Sequence, residues 1–202
     1  LNKCDEGFGC SKQAIAFQAL SGQIGAEKAA EVLADGGACG LSTFMSYYIL
    51  RVLSAAGETE RAVNIIKEYY GGMLAKGATT FWEDFDIDWM KGSGRIDALP
   101  KAGEKDIHGD FGRYCYKGFR HSLCHGWASG AVPFLTHCVA GIHVTEPGCK
   151  AIRIKPDLGD LEWVRGKFPT PFGVLEYEYH KNKDRKVEIH YNAPAGITIT
   201  TK

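Results

Sequence analysis

One short segment of the sequence combines a carboxylate with the aromatic side chains that sugar-binding sites use. Residues 77–89 read Gly-Ala-Thr-Thr-Phe-Trp-Glu-Asp-Phe-Asp-Ile-Asp-Trp, so Glu83 directly follows Trp82, shortly after a glycine that can end a helix. Flat aromatic rings can cover the apolar face of a pyranose, while carboxylates bind hydroxyl groups and transfer protons. A Trp-Glu pair is also a common arrangement of an exposed acid beside a core indole. The pair alone leaves both interpretations open.

Three acids, Asp84, Asp86 and Asp88, alternate with apolar residues directly after that pair. In an extended segment, this period of two would place the three carboxylates on one face. The spacing resembles a calcium loop, but Trp89 stands where that loop needs glycine, and Arg95 where it needs a bidentate glutamate. We therefore predict an acidic edge that faces solvent or substrate, with Asp84 as a candidate substrate ligand.

A second cluster lies at residues 119–130, which read Phe-Arg-His-Ser-Leu-Cys-His-Gly-Trp-Ala-Ser-Gly. If this segment were helical, His121 and His125 would lie one turn apart, as zinc-binding pairs do. However, Ser122 occupies the position where the metalloprotease motif has its glutamate. We therefore predict no metal and no cofactor. His125 is expected to form hydrogen bonds to a substrate or within the core, and Trp127 to hold a sugar or pack in the core.

The elements that must position these residues begin with helices. Apolar residues recur at helical spacing through the first part of the chain, Ser11 is a candidate N-cap, and the segments end at glycines. The predicted helices span residues 11–22, 26–34, 42–57 and 59–77. Because the links between them are short, we expect antiparallel helical hairpins.

Between residues 78 and 120 the helical period is lost, and aromatic residues lie among Gly, Asp and Lys. A segment of this length without regular structure is commonly functional when it belongs to a compact domain. A helix is predicted again from about Ser122 to Val139, with a kink near Pro133.

After Gly141 the apolar period changes to two, which indicates short strands. Candidate strands lie at residues 152–154, 161–164, 174–179, 187–191 and 197–199, separated by Gly, Pro, Asn and Asp. The predicted fold class is therefore α+β with two domains. Residues 1–141 form a helical domain, and residues 142–202 a small antiparallel β-sandwich.

Charge and hydropathy exclude two classes of partner. The 24 Lys and Arg residues balance 24 Asp and Glu residues, and no basic run stands out, so neither nucleic acid nor an anionic membrane is expected as a partner. No apolar run of the sequence approaches the roughly 20 residues that a membrane helix needs. The sequence starts Leu-Asn-Lys, without a starter Met or a signal peptide, so we expect a piece of a longer protein. Its compartment stays open, and a periplasmic or secreted parent is compatible with the sequence.

Four motifs, taken together and in order, resemble the bacterial α-L-rhamnosidases, glycoside hydrolases of the six-hairpin type. That family has Gly-Ala-Thr-Thr-x-Trp-Glu, Ser-Leu-Asn-His, Ala-Gly-Ile and Pro-Gly-x-Lys, the last leading into a β-domain. The corresponding segments here are residues 77–83, 122–130, 139–142 and 147–150. The resemblance covers nearly the whole chain. It implies that residues 1–141 are the C-terminal half of an (α/α)6 catalytic barrel, a partial toroid, and that residues 142–202 are the C-terminal β-sandwich domain.

The resemblance also implies an activity, the inverting hydrolysis of terminal α-L-rhamnosyl bonds. In this mechanism one carboxylic acid protonates the leaving oxygen, while a carboxylate across the ring activates water. By the match of the motif, Glu83 would be the general base. Trp82, His125, Trp127 and Asp84 would contribute to the rhamnose pocket.

The family's general acid lies earlier in the barrel, before the region that matches this chain. The resemblance therefore implies a fragment that is inactive alone. Its expected partners are the N-terminal part of the parent enzyme and a rhamnose-containing glycan or glycoside.

Two positions depart from the family pattern. Cys124 stands where Asn is usual, and Asp84-Phe85 stands where Arg-Trp is common, which leaves the identity of the sugar open. Two functions of other classes are also open. One is a carbohydrate-binding or structural module, in which Trp82 and Trp127 hold a sugar or the core. The other is a polysaccharide lyase on an α-toroid with a Tyr or His base, although it leaves the 77–83 segment without a role.

Overall fold

The computed structural model describes residues 11–98, 103, 106 and 122–201. These residues fall into two compact units, divided between Val132 and Pro133. Within the described residues the first unit is helical and the second contains the strands, so the α+β class is confirmed. This division lies nine residues before the domain boundary predicted between residues 141 and 142. The predicted boundary rests on the change of apolar period and stays a prediction.

Four helices of the first unit occur where the apolar period predicts them. They are α1 (Lys12–Leu20), α2 (Ala26–Leu33), α3 (Ser46–Ala55) and α4 (Thr59–Ala75). The predicted N-cap is confirmed, since the Ser11 hydroxyl accepts a hydrogen bond of 3.2 Å from the backbone N–H of Ala14. α3 begins a few residues later than predicted. The assignment of these helices to half of a toroid stays a prediction.

The core of the helical unit is built from the apolar faces of these helices. α1, α2 and α3 pack against one another, and α4 packs against α3. Leu33 of α2, Ile49 and Leu53 of α3, and Tyr69 of α4 are all 0% exposed. Full burial of an aliphatic side chain of this size stabilises a fold by about 1.5–3 kcal/mol, so these contacts hold the helices as one unit.

The segment from Ser122 onward differs from the predicted continuous helix. Residues 122–125 are not helical, a 3-10 helix follows at Gly126–Gly130, and α5 spans only Ala131–Phe134 before a π-helical stretch at Leu135–Val139. The helix prediction from Ser122 is wrong because the backbone groups of residues 122 and 125 bond to residues 83 and 81 instead of to their own helix. Pro133 lies in the first turn of α5, where its missing N–H is not needed.

The second unit contains six strands: β1 (Ile142–Val144), β2 (Ala151–Ile154), β3 (Trp163–Thr170), β4 (Gly173–Lys181), β5 (Val187–Asn192) and β6 (Thr198–Thr200). They form two three-stranded sheets, ordered β1-β2-β6 and β3-β4-β5. All pairs are antiparallel except β2 and β6, which run parallel. The prediction of a fully antiparallel domain is therefore corrected. The chain reaches β6 from the other sheet, so no hairpin turn sets the direction of that strand.

The two sheets of the second unit share one apolar core. Ile152 and Ile154 of the first sheet and Leu175, Tyr177 and Tyr179 of the second belong to the same buried cluster. Along β3 and β4 the intervening residues are exposed. A core between two sheets with polar outer faces defines a small sandwich, as the period of two predicts.

Gly141, which directly precedes β1, offers a test of how tightly the main chain is packed at the start of the sandwich. Its φ is +66°, and a Cβ added there would overlap the carbonyl oxygen of Lys155, while its own carbonyl accepts the 2.9 Å hydrogen bond of the Lys155 N–H. Gly148 is the matched control, because its φ is +72° and no atom lies within 4 Å of an added Cβ. Gly148→Ala is expected to cost about 1–2 kcal/mol through its backbone conformation alone.

Gly141→Ala is expected to cost about 1–3 kcal/mol more, because backbone atoms must move apart in addition. Urea unfolding of the two variants and the parent, followed by circular dichroism, measures the difference. Equal free energies of unfolding for the two variants would show that the main chain at Lys155 moves away from an added Cβ without measurable cost.

Candidate functional site

The site is built where two segments distant in sequence pair through their backbones. The N–H of Glu83 donates a 2.8 Å hydrogen bond to the carbonyl of Ser122, and the N–H of His125 donates one of 2.7 Å to the carbonyl of Phe81. Because both partners are main-chain groups, the pairing fixes the two segments in one register. It brings two of the predicted site residues, Glu83 and His125, to the same place.

The Glu83 carboxylate is held at one oxygen. Its Oε2 accepts a 2.7 Å hydrogen bond from the backbone N–H of Ser122 and lies 3.9 Å from Nδ1 of His125. The side chains of Glu83 and His125 are each 31% exposed. Among the described residues no donor binds Oε1. A carboxylate fixed at one oxygen and partly exposed can present its second oxygen to water or to a hydroxyl group.

The main chain of Glu83 is fixed as firmly as its side chain. Its carbonyl accepts a 3.0 Å hydrogen bond from Nε1 of Trp127 and a short one from the hydroxyl of Thr43, a buried residue that precedes α3. Trp127 is thereby oriented with respect to Glu83. Neither contact could be inferred from the sequence, because the partners lie 44 and 40 positions apart.

Tyr70 of α4 supports the 3-10 helix that carries Trp127. Its hydroxyl lies 2.9 Å from Oγ of Ser46 and donates a 3.1 Å hydrogen bond to the carbonyl of Ala128. Burial raises the pKa of Tyr70, so it remains a neutral donor. The helix cannot move away from α3 and α4 without leaving these buried polar groups unpaired.

The two predicted tryptophans have different environments. Trp82 is 0% exposed, and its ring packs edge-on against Phe85, with centroids 5.8 Å apart. Its ring therefore has no face open to a ligand in this structure, and a direct contact with sugar stays a prediction. Trp127 is 49% exposed, and its ring lies 4.2 Å from that of His125.

Trp127 belongs to a continuous aromatic strip on the surface of the helical unit. The strip consists of His125, Trp127, Phe44, Tyr48 and Phe17, with successive ring centroids 4.2, 5.6, 6.2 and 5.0 Å apart. Phe44 and Phe17 are 46% and 45% exposed. Phe44 and Tyr48 fall within the helix predicted over residues 42–57, and its apolar period alone does not reveal their place on the surface. Exposed, contiguous aromatic surface is typical of a ligand-binding or docking site.

The acids after Glu83 do not form the predicted extended edge. Asp86 caps the 3-10 helix at Ile87–Lys91 by accepting a 2.9 Å hydrogen bond from the N–H of Asp88, which ends the alternation. Asp84 accepts a 2.9 Å hydrogen bond from the N–H of Phe85 and is partly buried. Its role as a substrate ligand stays a prediction.

Neither a metal centre nor a membrane-spanning helix occurs in the described part of the chain. No group of three or more His, Cys, Asp or Glu side chains there could hold a metal ion. His121, the partner of His125 in the zinc interpretation, lies outside the described residues. No helix among residues 11–98 and 122–201 is long and apolar enough to cross a membrane.

The second unit of the chain matches a described domain family over most of its length. Residues 141–201 match the family described as the bacterial alpha-L-rhamnosidase C-terminal domain. No curated protein sequence matches the chain.

Three solved structures share the fold. A rhamnosidase of glycoside hydrolase family 78 from Bacillus sp. GL1 is 22% identical, with a TM-score of 0.70 over 95% of this chain and 19% of its own. An α-L-rhamnosidase from Aspergillus terreus is 20% identical, with a TM-score of 0.68 over 95% of this chain and 22% of its own. The α-L-rhamnosidase of Streptomyces avermitilis, solved with L-rhamnose, is 17% identical, with a TM-score of 0.66 over 97% of this chain and 18% of its own.

The chain thus has the fold of a portion of the α-L-rhamnosidases and spans about a fifth of the length of each. The sequence match to the bacterial alpha-L-rhamnosidase C-terminal domain covers residues 141–201, and the likeness of the whole chain to these enzymes is one of fold.

Tyr70 offers a test of the support beneath Trp127. Tyr70→Phe is expected to lower the free energy of unfolding by about 1–3 kcal/mol, because the Ala128 carbonyl loses a buried donor. Tyr48→Phe is the matched control. Its hydroxyl has no hydrogen-bond partner among the described residues, so we expect a change within about 0.5 kcal/mol. Urea unfolding provides both values, and a Tyr70→Phe variant as stable as the control would contradict the supporting role.

Proposed function

We propose that this chain contributes the general base and part of the sugar pocket of an inverting glycoside hydrolase that cleaves terminal α-L-rhamnosyl bonds. The observation that supports this most directly is the Glu83 carboxylate, fixed at Oε2 by the Ser122 N–H at 2.7 Å and partly exposed beside the aromatic strip. A general base needs a positioned, accepting oxygen within reach of the proton that it removes.

In the proposed reaction Glu83 acts on water. Oε1 accepts a proton from a water molecule as the water oxygen attacks the anomeric carbon from the face opposite the aglycone. The bond from the anomeric carbon to the glycosidic oxygen breaks, and a general acid protonates that oxygen. In inverting enzymes the two carboxyl groups lie about 6.5–9.5 Å apart to leave room for the water. We assign the acid to the part of the parent enzyme outside this chain, where the family has it.

The sugar would lie against the exposed aromatic rings. The indole of Trp127 donates to the carbonyl of Glu83, so a ring stacked on Trp127 is held at a fixed position relative to the base. The C–H faces of a 6-deoxy sugar suit an aromatic platform. His125 and Asp84 are proposed to bind hydroxyl groups of the sugar. Trp82, whose ring is buried, is proposed to act by positioning Glu83.

A carbohydrate-binding module without catalysis is the second candidate, favoured by the same exposed strip. Stacking rings without a catalytic acid nearby would bind a sugar and leave it intact. The two candidates differ in what Glu83 does, which can be measured directly.

The catalytic role of Glu83 is tested in the parent enzyme that carries this chain, with an aryl α-L-rhamnoside as substrate. Glu83→Gln is expected to lower kcat by about 10²–10⁴-fold with little change in KM, because an amide cannot accept the proton of the water. Glu60→Gln, an exposed position on α4, is the matched control and should retain full activity. The 202-residue chain alone is expected to show no turnover.

Azide distinguishes a lost base from a damaged fold. Azide is already an anion and needs no deprotonation, so it should restore part of the activity of Glu83→Ala and yield a rhamnosyl azide of inverted, β configuration. A near-normal kcat for Glu83→Gln, or a rescued product of retained configuration, would remove Glu83 from the base role. Sugar binding without turnover in the parent enzyme would favour the binding module.

A further inference from the structure

A groove of about 530 Å³ lies on the β3-β4-β5 sheet of the second unit. Six polar side chains line it: Arg165 and Lys167 from β3, Glu176 and Glu178 from β4, and His190 and Asn192 from β5. No residue of the β1-β2-β6 sheet lines it, so the groove lies on the face turned away from the core. We call these six residues the polar groove. Its volume is in the range of small-molecule sites, about 300–1,000 Å³.

Strand register arranges the polar groove in two rows across the sheet. Glu178 pairs with Arg165 on one side and His190 on the other, which forms the first row. In the second row, Glu176 pairs with Lys167 and Asn192 in the same way. Residues paired across strands have side chains about 4.5–5.5 Å apart, so each row presents donors and acceptors side by side.

Charge in the polar groove is balanced. Lys167 forms a 2.6 Å ion pair with Glu176, and Glu178 accepts a 2.7 Å hydrogen bond from His180. That hydrogen bond, followed by the nearby charges of His180, Arg165 and His190, holds the pKa of Glu178 below its usual range. Two cations face two carboxylates, so the groove has no net charge with which to select an anion or a cation.

Three side chains of the polar groove have unused hydrogen-bonding capacity. Among the described residues, no hydrogen bond engages the guanidinium of Arg165, the ring of His190 or the amide of Asn192. Together they offer donors from both flanking strands and acceptors from His190 and Asn192. A ligand dense in hydroxyl groups, each both donor and acceptor, matches this mixture better than an ion or an apolar molecule does.

An exposed indole lies on the same strand as Arg165, just beyond the residues that line the groove. Trp163 lies two positions before Arg165 on β3 and therefore on the same face of the sheet. Its side chain is 57% exposed, and its ring contacts no other described aromatic ring. An indole beside a row of hydrogen-bonding groups provides the apolar platform on which a pyranose ring can stack.

From this geometry we infer that the outer face of the β3-β4-β5 sheet is a binding site for a neutral, hydroxyl-rich sugar, with Trp163 as its stacking platform and the polar groove as its hydrogen-bonding surface. All residues of this site belong to the second unit, and the inference does not depend on the catalytic role proposed for Glu83. Because a solvated salt-bridge face would bind no sugar, binding is the decisive measurement.

The test uses the 15N-labelled 202-residue chain and four probes: the methyl α-glycosides of L-rhamnose, D-glucose and D-galactose, and anionic D-galacturonate. At roughly 10 mM, tenfold above a Kd of about 1 mM, at least one neutral glycoside should shift the amide resonances of Gly166, Tyr177 and Tyr191, which complete the lining of the groove. Absence of these shifts with all three neutral glycosides overturns the inference. Tighter binding of galacturonate would also overturn it, since that result defines an anion site.

Two variants locate the site, and one controls for the loss of an exposed aromatic ring. Trp163→Ala and Arg165→Ala should each raise Kd by about tenfold or more. Phe172→Ala, which removes another exposed ring of this unit, should leave Kd within about twofold. A Trp163→Ala effect no larger than that of Phe172→Ala contradicts the site as described. Glu83→Gln should leave the sheet resonances and their Kd unchanged, so failure at the sheet and failure at Glu83 are read out separately.

Discussion

The candidate site depends on one interaction, the reciprocal bonding between Glu83 and Ser122. The N–H of Glu83 bonds the carbonyl of Ser122, while the N–H of Ser122 bonds the carboxylate of Glu83. The same two residues thus fix both the main chain and the side chain of the proposed base. The hydrogen bonds of His125 to the Phe81 carbonyl and of Trp127 to the Glu83 carbonyl extend this pairing to the neighbouring aromatic side chains.

Residues of α3 and α4, and Thr43 just before α3, stabilise this pairing through three polar contacts. Thr43, just before α3, donates to the carbonyl of Glu83, and Ser46 and Tyr70 connect α3 and α4 to the carbonyl of Ala128. The hydroxyls of Thr43 and Tyr70 thus satisfy main-chain carbonyls of Glu83, in an irregular segment, and of Ala128, in a short 3-10 helix. Buried carbonyls left unpaired cost about 1–3 kcal/mol each, so the irregular segments are held in place by the regular ones.

Local patterns could be predicted from the sequence, and long-range pairing could not. The cap at Ser11 and the strands of the sandwich follow from residue types and apolar periods within a few positions. Residues 122–125 directly precede a 3-10 helix, yet their hydrogen-bond partners in residues 81–83 lie 39 or more positions away, and those partners decide the conformation. The direction of β6 was mispredicted for the same reason. The types of the residues at the site were predictable, but the exposure of Trp127 and the burial of Trp82 depend on packing.

The Glu83 carboxylate, held by a hydrogen bond at one oxygen, meets two opposing requirements of the general-base role proposed for it. Ordering a glutamate side chain costs up to about 2 kcal/mol of conformational entropy, so a base left to itself samples many positions. A hydrogen bond to a charged group contributes about 1.5–3 kcal/mol, which offsets that cost. Donors on both oxygens would order the side chain equally well but would occupy the atom that must accept a proton. Among the described residues only Oε2 is engaged, by a backbone N–H that cannot rotate away, so the group is ordered while Oε1 keeps its capacity to accept a proton.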